Sequence, residues 1–304
     1  MFNVHPDSRA QPACRFGRDF DRLRPRVRVP LAVGARTKMS ILKKIVGKRD
    51  SNPPAPLPEQ LPSPVQVRRR HYRGDDVRKR GGVPVFDTPE ALALNAARMD
   101  HLASLGLALS GKRVLDLGCG VGHLGDRLQQ MGCSVVCVDG RAQNIESLRA
   151  RYPKLEAHVG DVEQDLSRFG KFDVVFSYGL LYHLENPLQA LRNMAAVCDE
   201  LLLLETMICD HTLPLVRVED ESTDFNQALA GLAVRPTPHY VVLGLNRAGF
   251  EHVYAPATPP AHEDFRFEWK SDFANVRDGH PLRCVFVASR HELRQASLVS
   301  LLTD

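Results

Sequence analysis

Two carboxylates and three glycines have the spacing of a site that binds a nucleoside-containing ligand. Asp116 stands two residues before the first of three glycines, Gly118, Gly120 and Gly122, and Asp139 ends the next apolar run. Glycine lets the backbone take a positive φ and lets a ligand approach closely, because no Cβ is in the way. A carboxylate at the end of the second strand of such a unit can accept both hydroxyls of a ribose. The chemistry we expect is ligand binding against bare backbone at a helix N-terminus.

The sequence around these residues predicts the elements that position them. Residues 114–117 read as a buried strand, the glycines as a turn, and residues 123–131 as an amphipathic helix. Farther on, apolar runs alternate with helical patterns as far as residue 288. Continuous apolar strands separated by helices indicate a parallel sheet covered on both faces. We therefore predict an α/β fold with a Rossmann-like, seven-stranded, mostly parallel sheet, helices on both faces and ligands at the carboxyl ends of its strands.

The glycine pattern resembles the first motif of the class I S-adenosylmethionine-dependent methyltransferases. It reads DxGxGxG, and His123 occupies the place of the third glycine of the dinucleotide pattern GxGxxG. The resemblance implies that Asp116 binds the methionine part of S-adenosylmethionine, directly or through water, while the glycines pass under its carboxylate and ribose. It also implies methyl transfer to an acceptor. The alternatives are a structural strand–helix turn without a ligand and a regulatory protein that binds the cofactor without turnover.

The same resemblance implies further cofactor contacts. Asp161 matches the position whose carboxylate accepts the adenine amino group, with the amide of Val162 near a ring nitrogen. The alternative is that Asp161 serves only the turn after Gly160, a common use of aspartate. Residues 177–184 match the segment that forms the floor between cofactor and acceptor. The predicted cofactor-binding residues are Asp116, Gly118, Cys119, Gly120, Gly122, Asp139, Gly140, Asp161, Val162, Ser177 and Tyr178.

A narrower resemblance covers about residues 110–206 and 235–250. The stretches FDVVFS, LLYH, NPL and LLET in this region are similar to those of bacterial tRNA wobble-uridine carboxymethyltransferases. In that family the tyrosine matching Tyr182 helps to bind a carboxylated form of the cofactor. The chain departs from the family before the first motif, where a helical pattern over 91–109 replaces a tryptophan-rich segment. Two acceptor classes follow: a small molecule, glycan or lipid-linked sugar, which we favour, and a tRNA base.

His183 and Tyr182 are the candidate catalytic residues. Histidine can accept a proton near neutral pH, which suits a general base. The alternative is a structural histidine that bonds the backbone where a helix begins. Alignment of acceptor, methyl and sulfur can by itself supply on the order of 7–11 kcal/mol. A base is therefore required only if the acceptor is a hydroxyl or a similar group that must lose its proton.

Two segments late in the chain are candidates for acceptor recognition. Residues 209–231 are polar and predict an irregular cover over the active site, followed by a helix that opens at Arg235. The connection between the sixth and seventh strands is unusually long and holds Trp269, the chain's single tryptophan; long loops are often functional. The alternative is a packing flap without acceptor contact. The predicted acceptor-binding residues are Tyr182, Glu205, Arg235, His239 and Trp269.

Charge and proline content divide the chain into unequal parts. Residues 1–82 hold 20 Lys and Arg against 7 Asp and Glu, whereas the remainder holds 20 against 29. The first part is also rich in proline and predicts a disordered basic extension, with residues 1–38 read as upstream sequence. It is either a solvated linker or an arm that binds nucleic acid weakly. We assign residues 83–292 to the methyltransferase domain and 293–304 to a C-terminal tail.

Cysteine usage and hydropathy exclude several protein classes. The seven cysteines contain no CxxC pair, so neither a disulfide framework nor a zinc site is indicated, and no metal is expected. No apolar run approaches the ~20 residues that span a bilayer. These features predict a cytoplasmic protein without a membrane span.

Overall fold

The computed structural model describes residues 85–302 apart from 271 and 278–280. The predicted basic extension and the predicted domain start at Val83 lie outside the described residues. Helices and strands follow in the order α1 Pro89–Ser104, β1 Arg113–Leu117, α2 His123–Gln130, β2 Ser134–Asp139, α3 Ala142–Arg151, β3 Glu156–Val159, β4 Phe172–Tyr178, α4 Pro187–Val197, β5 Cys198–Met207, β6 Val216–Asp220, β7 Leu232–Pro236, α5 Pro238–Arg247, β8 His252–Pro256, α6 Ala274–Arg277, β9 Arg283–Ser289 and β10 Leu298–Ser300.

Eight of these strands form one sheet in the order β10-β8-β9-β5-β4-β1-β2-β3. Strands β1 to β5 pair in parallel, and β9 runs antiparallel between β5 and β8. The predicted α/β, mostly parallel sheet is confirmed, but the predicted count of seven strands was one too low. The eighth strand, β10, pairs antiparallel with the edge strand β8. Strand β10 lies in the residues that the sequence assigned to a C-terminal tail. It was not predicted because a strand of three residues is too short to show a period of two.

Helices cover both faces of the sheet, as predicted. On one face, side chains of α1, α2 and α3 pack on β1 through residues such as Val114, Leu102 and Leu148. On the other face, α4 and α5 pack on the same strand through Leu115 and Leu191. Neighbouring residues of β1 therefore point into opposite cores, which is why its sequence is continuously apolar. Each buried leucine stabilises the fold by about 1.5–3 kcal/mol relative to exposure.

Helix α1 begins where the sequence predicts. The hydroxyl of Thr88 accepts the N–H of Ala91, and Pro89 occupies the first turn. A side-chain cap of this kind satisfies one of the free N–H groups at a helix start, and proline fits there because it has no N–H to leave unpaired. No helix within the described ranges is long and apolar enough to cross a membrane.

The segment predicted as an irregular cover contains a hairpin. Strands β6 and β7 pair with each other and form a separate two-stranded sheet. Arg235 lies in β7 rather than at a helix start, so that prediction was wrong. Helix α5 begins at Pro238, and the Thr237 side chain accepts the N–H of Tyr240 as its cap. We call residues 209–236 the cover segment.

Candidate functional site

The turn between β1 and α2 lies where the direction of the sheet order changes. β1 has β2 on one side and β4 on the other, and such a switch point is the usual ligand site of open α/β sheets. Gly118 and Gly120 have φ values of 73° and 53°. A Cβ at Gly118 would stand 2.9 Å from Leu180, and one at Gly120 would stand 2.9 Å from Phe86. Both positions therefore require glycine for conformation and for space.

The carboxylate of Asp139 holds this turn from the end of β2. Its Oδ2 accepts the N–H of Gly120 at 2.9 Å, and its Oδ1 accepts the N–H of Arg141 at 2.8 Å and the amide of Asn144 at 3.0 Å. Burial raises the pKa of Asp139, and these three hydrogen bonds oppose the rise. Donors on both oxygens fix the orientation of this buried carboxylate. It lies at the carboxyl end of β2, on the ligand side of the sheet, and can still accept a further hydrogen bond.

Asp116 is a buried carboxyl with an unused acceptor. It is 2% exposed, and no described protein group hydrogen-bonds its Oδ2. Burial, with a smaller effect of the nearby Asp139 charge, raises the pKa of Asp116 to about 7. Leaving a buried polar atom without a partner costs about 1–3 kcal/mol. An uncompensated group of this kind beside the glycine turn is consistent with a ligand that supplies the missing donor.

A cleft at the carboxyl edge collects many of the predicted cofactor residues. Its cavity volume is about 90 Å³, below the ~300–1,000 Å³ usual for small-molecule sites, and part of the cleft is open to solvent. Of the predicted cofactor-binding residues, those lining it are Gly118, Gly120, Asp139, Gly140, Asp161 and Val162. The Asp161 Oδ1 also accepts the N–H of Glu163 at 2.9 Å, so this aspartate serves its turn and still faces the cleft.

The remaining predicted cofactor residues, Asp116 included, are buried around the cleft rather than lining it. Cys119 and Gly122 belong to the glycine turn, and burial holds the pKa of the Cys119 thiol well above its usual range. Ser177 and Tyr178 end β4, and their hydroxyls have no hydrogen-bond partner among the described residues. Burial raises the pKa of Tyr178, with the Glu205 carboxylate adding to the effect. These side chains support the floor of the cleft from behind.

The cover segment closes one side of the cleft. Phe225, Asn226, Gln227 and Leu229 line the cleft, and side chains of α3 and the residue before it hold their backbone. Arg141 donates to the carbonyls of Gln227 and Ala228 at 3.1 and 2.9 Å. Asn144, which also donates to Asp139, donates to the Phe225 carbonyl at 3.1 Å. The cover is thus anchored to the same residues that hold the Asp139 carboxylate.

His183 lines the cleft opposite Asp139 and is bound by the cover segment. Its Nδ1 lies 2.5 Å from Oε2 of Glu221. The same carboxylate oxygen accepts the N–H of Ala228 at 2.8 Å. The His183 ring also lies against that of Tyr182, with centroids 4.1 Å apart. His183 therefore has a fixed orientation at the cleft wall.

A buried network of charges lies behind the floor of the cleft. Glu205, at 0% exposure, accepts from Arg98 at 2.5 Å and from Arg283 at 3.0 Å. Burial alone would raise the pKa of Glu205, but the two guanidinium groups hold it below its usual range. Arg283 also donates to Asp264 at 2.9 Å and lies 3.3 Å from the hydroxyl of Tyr182. This network joins α1, β5, β9 and the β8–β9 connection.

The predicted acceptor residues are not brought together. Tyr182, Glu205 and Arg235 lie near one another behind the cleft, with the Arg235 guanidinium 5.3 Å from the centroid of the Tyr182 ring. His239 is exposed in the first turn of α5, and Trp269 is 41% exposed and packs on Phe267. Neither His239 nor Trp269 lines the cleft, so their assignment has no support in this geometry.

Several residues that line the cleft were not among the predicted site residues: Phe86, Arg141, Gly179, Phe225, Asn226, Gln227 and Leu229. Arg141 directly follows the predicted Asp139–Gly140 pair. Gly179 lies in the predicted floor segment and the last four lie in the predicted cover, whereas Phe86 reaches the cleft through tertiary packing. Among the described residues, no cluster of three or more His, Cys, Asp or Glu could hold a metal ion.

Residues 114–200 match the family model described as a methyltransferase domain. This part of the chain is similar to a methyltransferase domain. The predicted resemblance to S-adenosylmethionine-dependent methyltransferases is confirmed for this domain. The matched residues begin in β1 and end in β5, and therefore include the glycine turn, Asp139, Asp161 and His183.

Curated relatives name two kinds of methyltransferase. A tRNA U34 carboxymethyltransferase of Azotobacter vinelandii is 34% identical over 158 residues, which covers 48% of this chain and 48% of the relative. A ubiquinone biosynthesis O-methyltransferase of Xanthomonas campestris is 34% identical over 112 residues, 34% of this chain and 46% of the relative. The chain thus spans about half the length of these curated relatives, and they differ in the acceptor that their names imply.

A solved structure shares the fold. The N-terminal domain of EvdMO1, determined in the presence of S-adenosylhomocysteine and D-fucose, has a TM-score of 0.51 and 21% sequence identity. The match covers 67% of this chain and 84% of that domain. At this identity the likeness concerns the fold, and it agrees with the mostly parallel sheet described above.

Proposed function

We propose that this protein transfers a methyl group from S-adenosylmethionine to a small-molecule, glycan or lipid-linked acceptor. The observation that carries the proposal is the pair of buried carboxylates at the ends of β1 and β2. Asp116 has an acceptor without a donor, and Asp139 is fixed by three donors against the glycine turn. The Asp139 carboxylate also holds the turn in the protein alone, whereas the unpaired buried acceptor of Asp116 has no such use and lowers stability.

The residues present fit S-adenosylmethionine. Asp116 would hold the methionine part, and the backbone at Gly118 and Gly120 leaves the space that a Cβ would fill. Asp139 would accept from the ribose, and Asp161, with Val162, would contact the adenine at the far end of the cleft. When bound, the cofactor supplies an electrophilic methyl carbon on a sulfonium. The chain's task is then to orient the acceptor and exclude water, which the cover segment does for one side of the cleft.

The charge of the described domain favours an acceptor other than a polyanion. Residues 83–304 carry 20 basic and 29 acidic side chains, so their mean field opposes the approach of nucleic acid. The cleft is also closed on one side by the cover segment, which suits a small ligand or the end of a larger one. The cofactor assignment is tested by calorimetry with S-adenosylhomocysteine, for which we expect micromolar affinity. Absence of binding would refute the proposed function.

The second candidate is modification of a tRNA base, with either a methyl or a carboxymethyl group. Similarity to the tRNA U34 carboxymethyltransferase and the presence of Tyr182 favour it. Against a carboxylated cofactor, the Arg283 guanidinium beside Tyr182 is already paired with Glu205 and Asp264, which leaves little positive charge for a further carboxylate. Mass spectrometry of metabolites and tRNA nucleosides from cells with and without the gene decides between the two acceptor classes.

A further inference from the structure

The contact between His183 and Glu221 fixes which ring nitrogen carries the proton. An ionised carboxylate can only accept a hydrogen bond, so Nδ1 of His183, 2.5 Å from Glu221, must be the protonated nitrogen. The lone pair of a neutral imidazole then lies on Nε2. Within the part of the chain that the structure describes, no hydrogen bond engages Nε2, and the ring lines the cleft. This is the state in which a histidine accepts a proton from a ligand.

The surroundings of the pair keep the Glu221 carboxylate in place. Its Oε2 also accepts the N–H of Ala228, and its Oε1 is 3.9 Å from a guanidinium nitrogen of Arg235. Arg235 is closer to Glu219, at 3.2 Å, so its charge is shared between two carboxylates. Both partners are largely buried, with 12% of the His183 and 11% of the Glu221 side chain exposed. Low exposure strengthens such a charge-assisted contact.

We infer that Glu221 is the positioning residue of His183 and that the acceptor is a hydroxyl compound whose proton His183 removes. The inference rests on the proposed function and deepens it by naming the acceptor group. A neutral amine attacks a methyl carbon with its own lone pair and can lose its proton afterwards. A hydroxyl is a weak nucleophile until its proton is removed, so a histidine oriented by a carboxylate serves a hydroxyl acceptor directly.

The step balances as follows. The hydroxyl oxygen forms a new O–C bond to the methyl carbon as the S–C bond breaks, and the electron pair of that bond passes to sulfur. The hydroxyl proton moves to Nε2 of His183, whose ring becomes an imidazolium. The Glu221 carboxylate, already bonded to Nδ1, offsets the new positive charge. The products are a methyl ether, a neutral thioether and a protonated histidine that releases its proton to solvent.

The contact between Glu221 and His183 depends on the position of the cover segment. Glu221 and Ala228 belong to the same segment as the residues that Arg141 and Asn144 hold over the cleft. The carboxylate that orients His183 is therefore in place when the cover is closed. Opening of the cover would separate Glu221 from His183 and leave the ring without its orienting partner.

The first experiment measures the tautomer and needs no acceptor. The full chain is labelled with 15N-histidine and saturated with S-adenosylhomocysteine, and the His183→Gln variant identifies the His183 signals. We expect protonated Nδ1 and unprotonated Nε2 in the natural protein. Glu221→Ala should shift the proton to Nε2, whereas Asp224→Asn, an exposed carboxylate change in the same segment, should leave the spectrum unchanged. Protonated Nε2 in the natural protein would overturn the inference, even with the cofactor site intact.

The second experiment measures transfer. Catechol and D-fucose serve as hydroxyl probes and aniline as an amine probe, with trideuteromethyl-labelled S-adenosylmethionine as donor. We expect label in a hydroxyl probe and none in aniline. Glu221→Ala should lower kcat about 100-fold, within the range for loss of general-base catalysis, with KM and S-adenosylhomocysteine affinity changed less than about threefold. Glu221→Gln, which keeps an acceptor for Nδ1–H, should recover part of kcat.

Two results would count against the inference while leaving the proposed function standing. One is label in aniline and not in the hydroxyl probes. The other is a Glu221→Ala variant whose S-adenosylhomocysteine affinity falls as much as its kcat, since Glu221 would then only support the fold of the cover segment. Failure of the natural protein to bind S-adenosylhomocysteine is a different outcome and refutes the proposed function itself.

Discussion

The Asp139 carboxylate accepts the backbone N–H of Gly120 at 2.9 Å, so the end of β2 holds the turn that follows β1. With Arg141 and Asn144 on the other oxygen, protein donors fill three of the roughly four acceptor positions of a carboxylate. About one position remains for a ribose hydroxyl. Asp139 thus shapes the backbone of the turn, and we propose that its remaining acceptor position binds the ligand.

Replacement of Asp139 should weaken cofactor binding and stability together. We expect Asp139→Ala to lose about one charge-assisted hydrogen bond to the ligand, ~1.5–3 kcal/mol, or a roughly 10- to 150-fold rise in the dissociation constant of S-adenosylhomocysteine. The melting temperature should also fall, because the N–H of Gly120 loses its acceptor. Calorimetry and thermal denaturation measure the two effects. Asp165→Ala, a change at an exposed carboxylate that bonds Ser167, is the control, and equal affinity of Asp139→Ala and the natural protein would contradict the assignment.

The buried Glu205 should be among the most sensitive positions for stability. Glu205→Gln leaves the guanidinium groups of Arg98 and Arg283 without their shared counter-charge, and breaking a buried ion pair in this way costs about 3–5 kcal/mol. Glu200 offers a matched control on the same strand, because its ion pair with Lys112 is about a third exposed. Glu200→Gln should cost no more than about 1 kcal/mol. Urea denaturation at neutral pH compares them, and similar losses in both variants would show that the buried network adds nothing.

The raised pKa of Asp116 predicts a pH-dependent loss of stability. The folded carboxyl titrates at about pH 7 because of burial and the Asp139 charge, whereas the unfolded one titrates near ~3.9. Between these values the folded state keeps a proton that the unfolded state has lost, so stability falls as pH rises through this window. Asp116→Asn removes the effect. The melting temperature of Asp116→Asn minus that of the natural protein, both measured without ligand, should increase from pH 5 to pH 8.

The control for this titration is the exposed carboxylate of Asp100 on α1. Asp100→Asn should keep a constant difference from the natural protein over the same pH range. A constant difference for Asp116→Asn as well would mean that Asp116 ionises alike in the folded and unfolded states. The same variant should bind S-adenosylhomocysteine more weakly, since an amide oxygen is a weaker partner for a cationic group than a carboxylate.

The basic part of the chain allows a salt test of nucleic-acid binding. If the arginines of residues 68–80 engage RNA phosphates, the affinity for tRNA should fall with ionic strength, with a log–log slope of about −0.7 per phosphate neutralised. We expect weak tRNA binding that requires residues 1–82, disappears at physiological salt and leaves tRNA unmethylated. A chain that begins at Val83 should melt within a few degrees of the full chain. Tight binding by that shorter chain, or methyl transfer to tRNA, would favour the tRNA-modifying alternative.

Local sequence was sufficient for the half of the site that is built from adjacent elements. The strand, the glycines and the helix from Val114 to Gln130 are contiguous, and Asp139 ends the next strand, so periodicity and residue type determine their arrangement. His183 was identified for a similar reason, because it lies in the segment that follows β4 at the ligand edge. Such residues are placed by the strand that carries them.

Residues joined across the fold could not be found in this way. Glu205 and Arg98 are in contact although 107 positions separate them, and Phe225 meets Asn144 across 81 positions. No pattern in a single sequence connects such pairs. Trp269 was predicted from the length of its connection and His239 from the helix start beside it, but α5 turns His239 to solvent while Trp269 packs on Phe267. The hairpin of the cover segment was missed because its strands are only five residues long each.

The cover segment is anchored to the domain largely through its main chain. Arg141 and Asn144 bond the carbonyls of Gln227, Ala228 and Phe225, and β6 and β7 form a sheet of their own. These contacts are made to backbone carbonyls, so they depend on the course of the main chain and not on the identity of the side chains at Phe225, Gln227 and Ala228. Exchange of residues 209–236 for the corresponding stretch of a relative, with Glu221 kept for its contact with His183, should therefore alter which acceptor is chosen while strands β1 to β5 stay as they are. Sequence variation within residues 209–236 could therefore give related proteins different acceptors.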